Sequence, residues 1–150
     1  MNIKDKNNII SYNLWSGGDF SKNISSDYHF QSSTGNLSDH NTNGDYSVHI
    51  TRSIENTGNG YLQFYPPLTS EDIGKTITLT VDIYTPNNNV AVQIYSSTYS
   101  GVTVPKNTSF ETISISKVIS NVPSACIINL FSSTEHELDC YIDNLRTYIQ

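Results

Sequence analysis

A chain of 150 residues is long enough for one domain with a core of its own, without help from metals or disulfides. Its net charge of -6, with only 15% of residues charged, argues against nucleic acid and against an anionic membrane surface, which both call for a basic stripe. No apolar run approaches the roughly 18 residues needed to cross a bilayer, so no membrane insertion is expected.

The polar residues are mainly Ser, Thr and Asn, and 10 residues are Tyr. That composition suits an exported β-protein and contact with a neutral, hydroxyl-rich ligand. It also follows from an AT-rich genome, which favours Asn, Ile, Lys and Tyr codons.

In chain order, "MNIKDKNNII" lacks the apolar segment and small-residue cleavage site of a secretory signal. Residues 1–12 read as a polar extension or linker and 13–150 as a single β-domain. The chain is then cytoplasmic, a module of a longer exported protein, or part of a virion. Residues 21–43 predict one strand around Tyr28–Gln31 and then a long polar loop. "DYSVHIT" alternates Tyr46, Val48 and Ile50 against Ser47, His49 and Thr51. "GYLQFYPP" places Leu62 and Phe64 on one face and Tyr61, Gln63 and Tyr65 on the other.

A short helical turn is predicted near "LTSEDIG", capped by Ser70 and ended by Gly74. "TITLTVDIY" sets Ile77, Leu79, Val81 and Ile83 against Thr78, Thr80, Asp82 and Tyr84. "VAVQIY" sets Val90, Val92 and Ile94 against Ala91, Gln93 and Tyr95. Further strands are expected at Phe110–Ser116, Ala125–Phe131 and Asp139–Ile149, with "NTGNG", "TPNNN", "GVTVPKN", "SNVPS" and "SSTEHE" as turns. Seven or more strands, each with one apolar face, predict an all-β chain folded as a two-sheet antiparallel β-sandwich. Cys126 and Cys140 each sit in an apolar strand pattern, so buried thiols are favoured over one disulfide, and their spacing fits no zinc motif.

Catalysis finds no support. The four histidines have no metal-ligand spacing, and no Gly-x-Ser-x-Gly elbow or phosphate-binding glycine loop is present. Glycoside hydrolysis needs two carboxylates across a cleft. The acidic residues fall mostly in turns, with Asp82 and Glu111 on strands expected in the sheet opposite "YLQFY".

Four segments together resemble the jelly-roll carbohydrate-binding modules of the family 4/9/22 type. "NLWSGGDFS" is similar to their opening strand and "GDYSVHIT" to their Gly-x-Tyr-Ser strand. "LTSEDIGKTITLTVDIYT" is similar to their Leu-x-x-Gly-Lys segment, and "CYIDNLRTYI" to their closing aromatic-Ile-Asp strand. The matches run from about Asn13 to Ile149. The pattern also occurs in virus tail proteins and cell-surface adhesins, so it speaks for the fold, a jelly roll, more than for the role.

The resemblance implies a non-catalytic module, secreted, on a cell surface or in a virion, whose partner is a polysaccharide or cell-surface glycan. Membership of a larger multidomain or virion assembly stays open. It also implies a structural calcium, with Asp143 as the terminal-strand ligand and Asp19 and Asp45 as supplements. The usual glutamate after the first-motif Phe is here Ser21, and the alternative is that Asp143 satisfies backbone donors at a bulge.

If "YLQFY", "VAVQIY" and "ACIINLF" share one sheet, their outward residues form a set. Tyr61, Gln63, Tyr65, Gln93, Tyr95 and Asn129 then offer rings for sugar C–H faces and amides for hydroxyls. The same face could instead be solvated, covered by a loop, or used for protein-protein assembly or host-surface attachment. Trp15 is expected in the core rather than against a ligand, and Tyr99, in the loop "SSTYSGVT", as a loose loop tyrosine, with closure of one end of a groove as the alternative.

Overall fold

The computed structural model describes residues 2–4, 10–12, 29–31, 33–38, 47–52, 60–87, 89–130 and 138–150. They form a two-sheet antiparallel sandwich. One sheet contains β1 (Asn2–Lys4), β2 (Ile10–Tyr12), β4 (Thr34–Ser38), β5 (Ser47–Arg52), β7 (Thr76–Tyr84), β10 (Glu111–Val118) and β12 (Leu138–Ile149). The other has five strands in the order β3 (His29–Gln31), β6 (Gly60–Phe64), β11 (Ala125–Leu130), β8 (Val90–Ser96) and β9 (Thr98–Val104).

Side-chain period two builds the core. Ile77, Leu79, Val81 and Ile83 of β7 are buried while the residues between them are half-buried on the outer face. Val90, Val92 and Ile94 of β8 meet them from the other sheet, with Leu62 and Phe64 of β6 in the same cluster. Cys126 and Cys140 are free and fully buried, and burial pushes both thiols far above their usual pKa.

β12 is the strand around which the larger sheet is organised. It pairs with β7 on one side, and on the other with β5 along its first half and β2 along its second. Its register shifts between Asp143 and Arg146, where Asn144 takes a φ of 48°. The shift moves the inward set from Cys140 and Ile142 to Leu145, Thr147 and Ile149, which keeps both halves of the strand packed on the core.

Four local expectations are revised. Within residues 1–12, read from sequence as an extension or linker, Asn2–Lys4 and Ile10–Tyr12 are strands, because the second half of β12 offers β2 an unfilled edge. Residues 34–38, read as loop, are β4 on β5. "GVTV", read as turn, is the outer half of a hairpin: Gly101 is there because a Cβ would lie 2.2 Å from the Val92 carbonyl oxygen, not because the chain turns. The helical turn is a 3-10 turn, Ser70–Asp72, capped by Thr69 rather than Ser70. The Thr69 N–H donates to Asp72 Oδ2 at 2.9 Å, and Gly74, at φ 92°, leaves the turn in a conformation that favours glycine.

Candidate functional site

β6, β11 and β8 are consecutive strands of the five-stranded sheet, as the ligand reading requires. Their register is unbroken. Gln63, Ile127 and Gln93 stand side by side, continued by Gly101 of β9. Asn129 lies opposite Tyr61 and Ala91, and Ala125 opposite Tyr95, which is itself opposite Tyr99. The inward residues between them, Leu62, Ile94, Cys126 and Ile128, are fully buried, so the outward parity read from the sequence holds on all three strands.

These outward residues enclose a groove of about 680 Å³, within the usual range for ligand pockets. Its lining is Tyr61, Gln63, Tyr65, Gln93, Tyr95, Tyr99, Asn121, Pro123, Ala125 and Ile127. Five of the six residues expected from sequence are therefore brought together. Asn129 joins by register only, since its side chain lies outside the described residues. Among the described residues, no Asp, Glu, Lys, Arg or His is in the lining.

The rings are accessible. Tyr65 is 56% exposed and Tyr99 61%, and Tyr95 meets Tyr99 with centroids 4.8 Å apart at a tilt of 49°. Gln63 Nε2 donates to Tyr65 Oη at 2.7 Å, which fixes the amide beside the ring. Ala125 and Ile127, buried at 2% and 8%, form the floor between the flanking strands.

Sequence reasoning missed Asn121 and Pro123, and placed Tyr99 in a loop, with the end of a groove only as the alternative. Tyr99 had a signal in the alternation Tyr99, Gly101, Thr103, which matches the partner strand. Asn121 and Pro123 had none, because they come from the β10–β11 connection and reach the groove only through tertiary packing.

The outer face of the other sheet carries a second aromatic row. His49 stacks on Tyr141 at 4.2 Å and 3°, Tyr141 on Tyr84 at 5.6 Å, and Tyr84 meets Phe110 at 5.8 Å. His49 Nε2 contacts Asp139 Oδ1, whose other oxygen accepts from Asn87 Nδ2 at 2.9 Å. Here ring faces are spent on one another, in contrast to the open rings of the groove.

Of the expected calcium ligands, Asp19 and Asp45 lie outside the described residues. Asp143 is fully buried at the β12 bulge, and its Oδ1 accepts the Asn144 N–H at 2.8 Å. Asp82, its partner across the strands, accepts from Asn144 Nδ2 at 2.7 Å and from Thr112 Oγ1 at 2.6 Å. Among the described residues no three His, Cys, Asp or Glu side chains converge as a metal set. What is described fits a bulge whose donors are met by carboxylates, and it supplies one member of the expected set.

Asp82 and Glu111 stand on β7 and β10, in the sheet away from the groove. No helix among the described residues is long and apolar enough to cross a membrane.

No family model matches the sequence, and no curated protein sequence matches it. Solved structures do match the fold. The CBM22-1 xylan-binding domain of Paenibacillus barcinonensis Xyn10C superposes with a TM-score of 0.64 at 7% identity, covering 87% of this chain and 90% of its own. A variant of a family 29 carbohydrate-binding module gives 0.61 at 12% identity, covering 93% and 91%.

The enzymatically active domain of bacteriophage CBA120 tailspike protein 4 gives 0.68 at 13% identity, covering 92% of this chain. This chain spans only 21% of that tailspike chain, and 24% of an exo-beta-agarase that also matches. At these identities the likeness defines the fold: the chain is a jelly-roll β-sandwich of the kind seen in carbohydrate-binding modules.

Proposed function

We propose that this chain is a non-catalytic carbohydrate-binding module that holds a neutral glycan in the groove of the five-stranded sheet. The observation that carries the reading is the lining itself. Four tyrosines and three side-chain amides surround an apolar floor, with no charged group among them. Tyr61, Tyr65 and Tyr95 supply ring faces for sugar C–H surfaces. Gln63, Gln93 and Asn129 supply donors and acceptors to adjacent hydroxyls. Glycoside hydrolysis calls for two carboxylates across a cleft, and the described lining consists of rings, amides and apolar side chains, which supports a ligand held and released unchanged.

The fold matches over nine-tenths of a module's length are to carbohydrate-binding modules, which supports the same class. The setting that suits this function is outside a cell, on a polysaccharide or cell-surface glycan. The reading does not call on calcium: Asp143 stands on β12, in the other sheet.

The test is affinity electrophoresis against xylan, mixed-linkage β-glucan, glucomannan and agarose, with titration of oligosaccharides from each. Retardation or binding heat with one neutral glycan, relieved by its free oligosaccharide, is the expected result. Silence across polymers and oligosaccharides alike would sink the proposal.

A second reading, an attachment or assembly module of a larger chain such as a virus tail, is favoured by the match to the phage tailspike. It predicts self-association or partner binding that free oligosaccharide does not relieve, measurable by sedimentation.

A further inference from the structure

The groove has a direction. Its floor, Ala125 and Ile127, consists of alternate residues of β11, and its sides are the strands flanking β11, so the trough runs along that strand. At the N-terminal end of β11 the lining passes onto Asn121 and Pro123, from the connection that leads into the strand. We propose that the Asn121–Pro123 turn is an end wall, and that the groove takes the terminus of a neutral glycan chain rather than an internal stretch. The inference rests on the carbohydrate reading above.

The wall is built to stay in place. Ser96, buried at the end of β8, accepts the Ser120 N–H at 2.9 Å and the Asn121 N–H at 3.3 Å through its Oγ. Ser120 Oγ returns a bond to the Ser96 carbonyl at 2.7 Å, and Ser124 Oγ donates to the Asn121 carbonyl at 2.7 Å. A polymer passing through would have to displace this turn and leave several of these partly buried groups without partners, which costs more than one glycan contact returns.

The Asn121 amide is oriented by the same network. Its Oδ1 accepts from Ser96 Oγ at 3.1 Å and Ser97 Oγ at 3.2 Å. Among the described residues Nδ2 reaches only the Pro123 carbonyl, at 3.5 Å. An amide carries two N–H donors, so with the oxygen engaged Asn121 presents a donor to the groove. That suits a terminal sugar unit, which carries a free hydroxyl where an internal unit carries the next glycosidic link.

The experiment compares each of the four polysaccharides intact and after partial hydrolysis, at equal mass, by isothermal titration of the wild-type domain. End capture predicts that binding sites per mass rise in proportion to the chain ends released. Asn121→Ala should then bind the hydrolysate about tenfold more weakly, the usual worth of one oriented hydrogen bond. Sites per mass unchanged by hydrolysis would overturn end capture while leaving the carbohydrate reading standing, as would an Asn121→Ala variant that binds hydrolysate like wild type. No binding to any polymer or hydrolysate overturns both.

Discussion

Replacing Tyr95 by alanine separates what the groove does from what the fold needs. The Tyr95 ring is half-buried on the outer face, packed at a tilt on Tyr99 at 4.8 Å, with no part in the core cluster. Losing one tilted aromatic pair costs about 0.5–1.5 kcal/mol of stability. In a domain of this size that lowers Tm by a few degrees. If a sugar covers roughly 50 Å² of the ring, at about 25 cal/mol per Å², the variant loses about 1.2 kcal/mol of binding, close to tenfold.

The control is Tyr84→Ala. It removes two ring contacts, to Phe110 and Tyr141 on the opposite sheet, a stability loss at least as large and far from the groove. Affinity electrophoresis and thermal melting of both variants are then read side by side. A Tm loss in both variants, no smaller in Tyr84→Ala, with weakened glycan binding in Tyr95→Ala alone is expected. A Tyr95→Ala protein whose glycan affinity equals that of wild type would refute the stacking role.

Gly101→Ala should destabilise by about 1–3 kcal/mol. The new Cβ meets two backbone atoms, Val92 O at 2.2 Å and Gln93 Cα at 2.9 Å, so a weakened glycan affinity through the displaced Gln93 should accompany the lower Tm. Burial pulls the Asp72 carboxyl upward, but the Thr69 N–H and Lys75 Nζ, the latter at 2.9 Å, outweigh it and hold the pKa below the usual value. A depressed folded-state pKa stabilises above the unfolded value, near pH 4, and is lost as pH falls through the folded one. Asp72→Asn should therefore cost about 1 kcal/mol at pH 7 and flatten the fall in Tm below pH 4. With no charged side chain in the lining, glycan affinity should not change between low and high salt, and a steep salt dependence would contradict a neutral ligand. Cys126 and Cys140 should resist a thiol reagent in the native protein and both react in denaturant.

The β-sandwich was legible because each strand shows one apolar face. The outward set that lines the candidate groove was legible because no irregularity interrupts β6, β8 or β11. A single bulge exchanges inward and outward residues along the rest of a strand. That exchange does occur in β12, after Asp143, where Ile142 and Leu145 both face the core. Strict alternation would have misplaced everything from Leu145 onward. Where the reading failed, local chemistry has two physical meanings: Gly101 and Pro105 look like turn residues, yet Gly101 permits close backbone approach inside a hairpin. Asn121 was out of reach because its position depends on serine hydroxyls 24 and 25 residues away in sequence, which no periodicity reports.

That dependence bears on how the groove works. Its side strands and floor belong to residues alternating with Leu62, Ile94 and Cys126, all fully buried, so the core sets the spacing of the rings. Tyr65 and Tyr95 stand two strands apart, about 10 Å, across the small side chain of Ala125. The width of the trough is thus fixed by the sheet before any ligand arrives, and little backbone ordering is charged to binding. The end wall is different in kind. It is a loop, set by hydroxyl bonds instead of apolar packing, and it can change length or sequence without disturbing the core. On the proposed reading the sheet sets the width of the groove and the spacing of its rings, and the β10–β11 turn sets how far along it a glycan can lie.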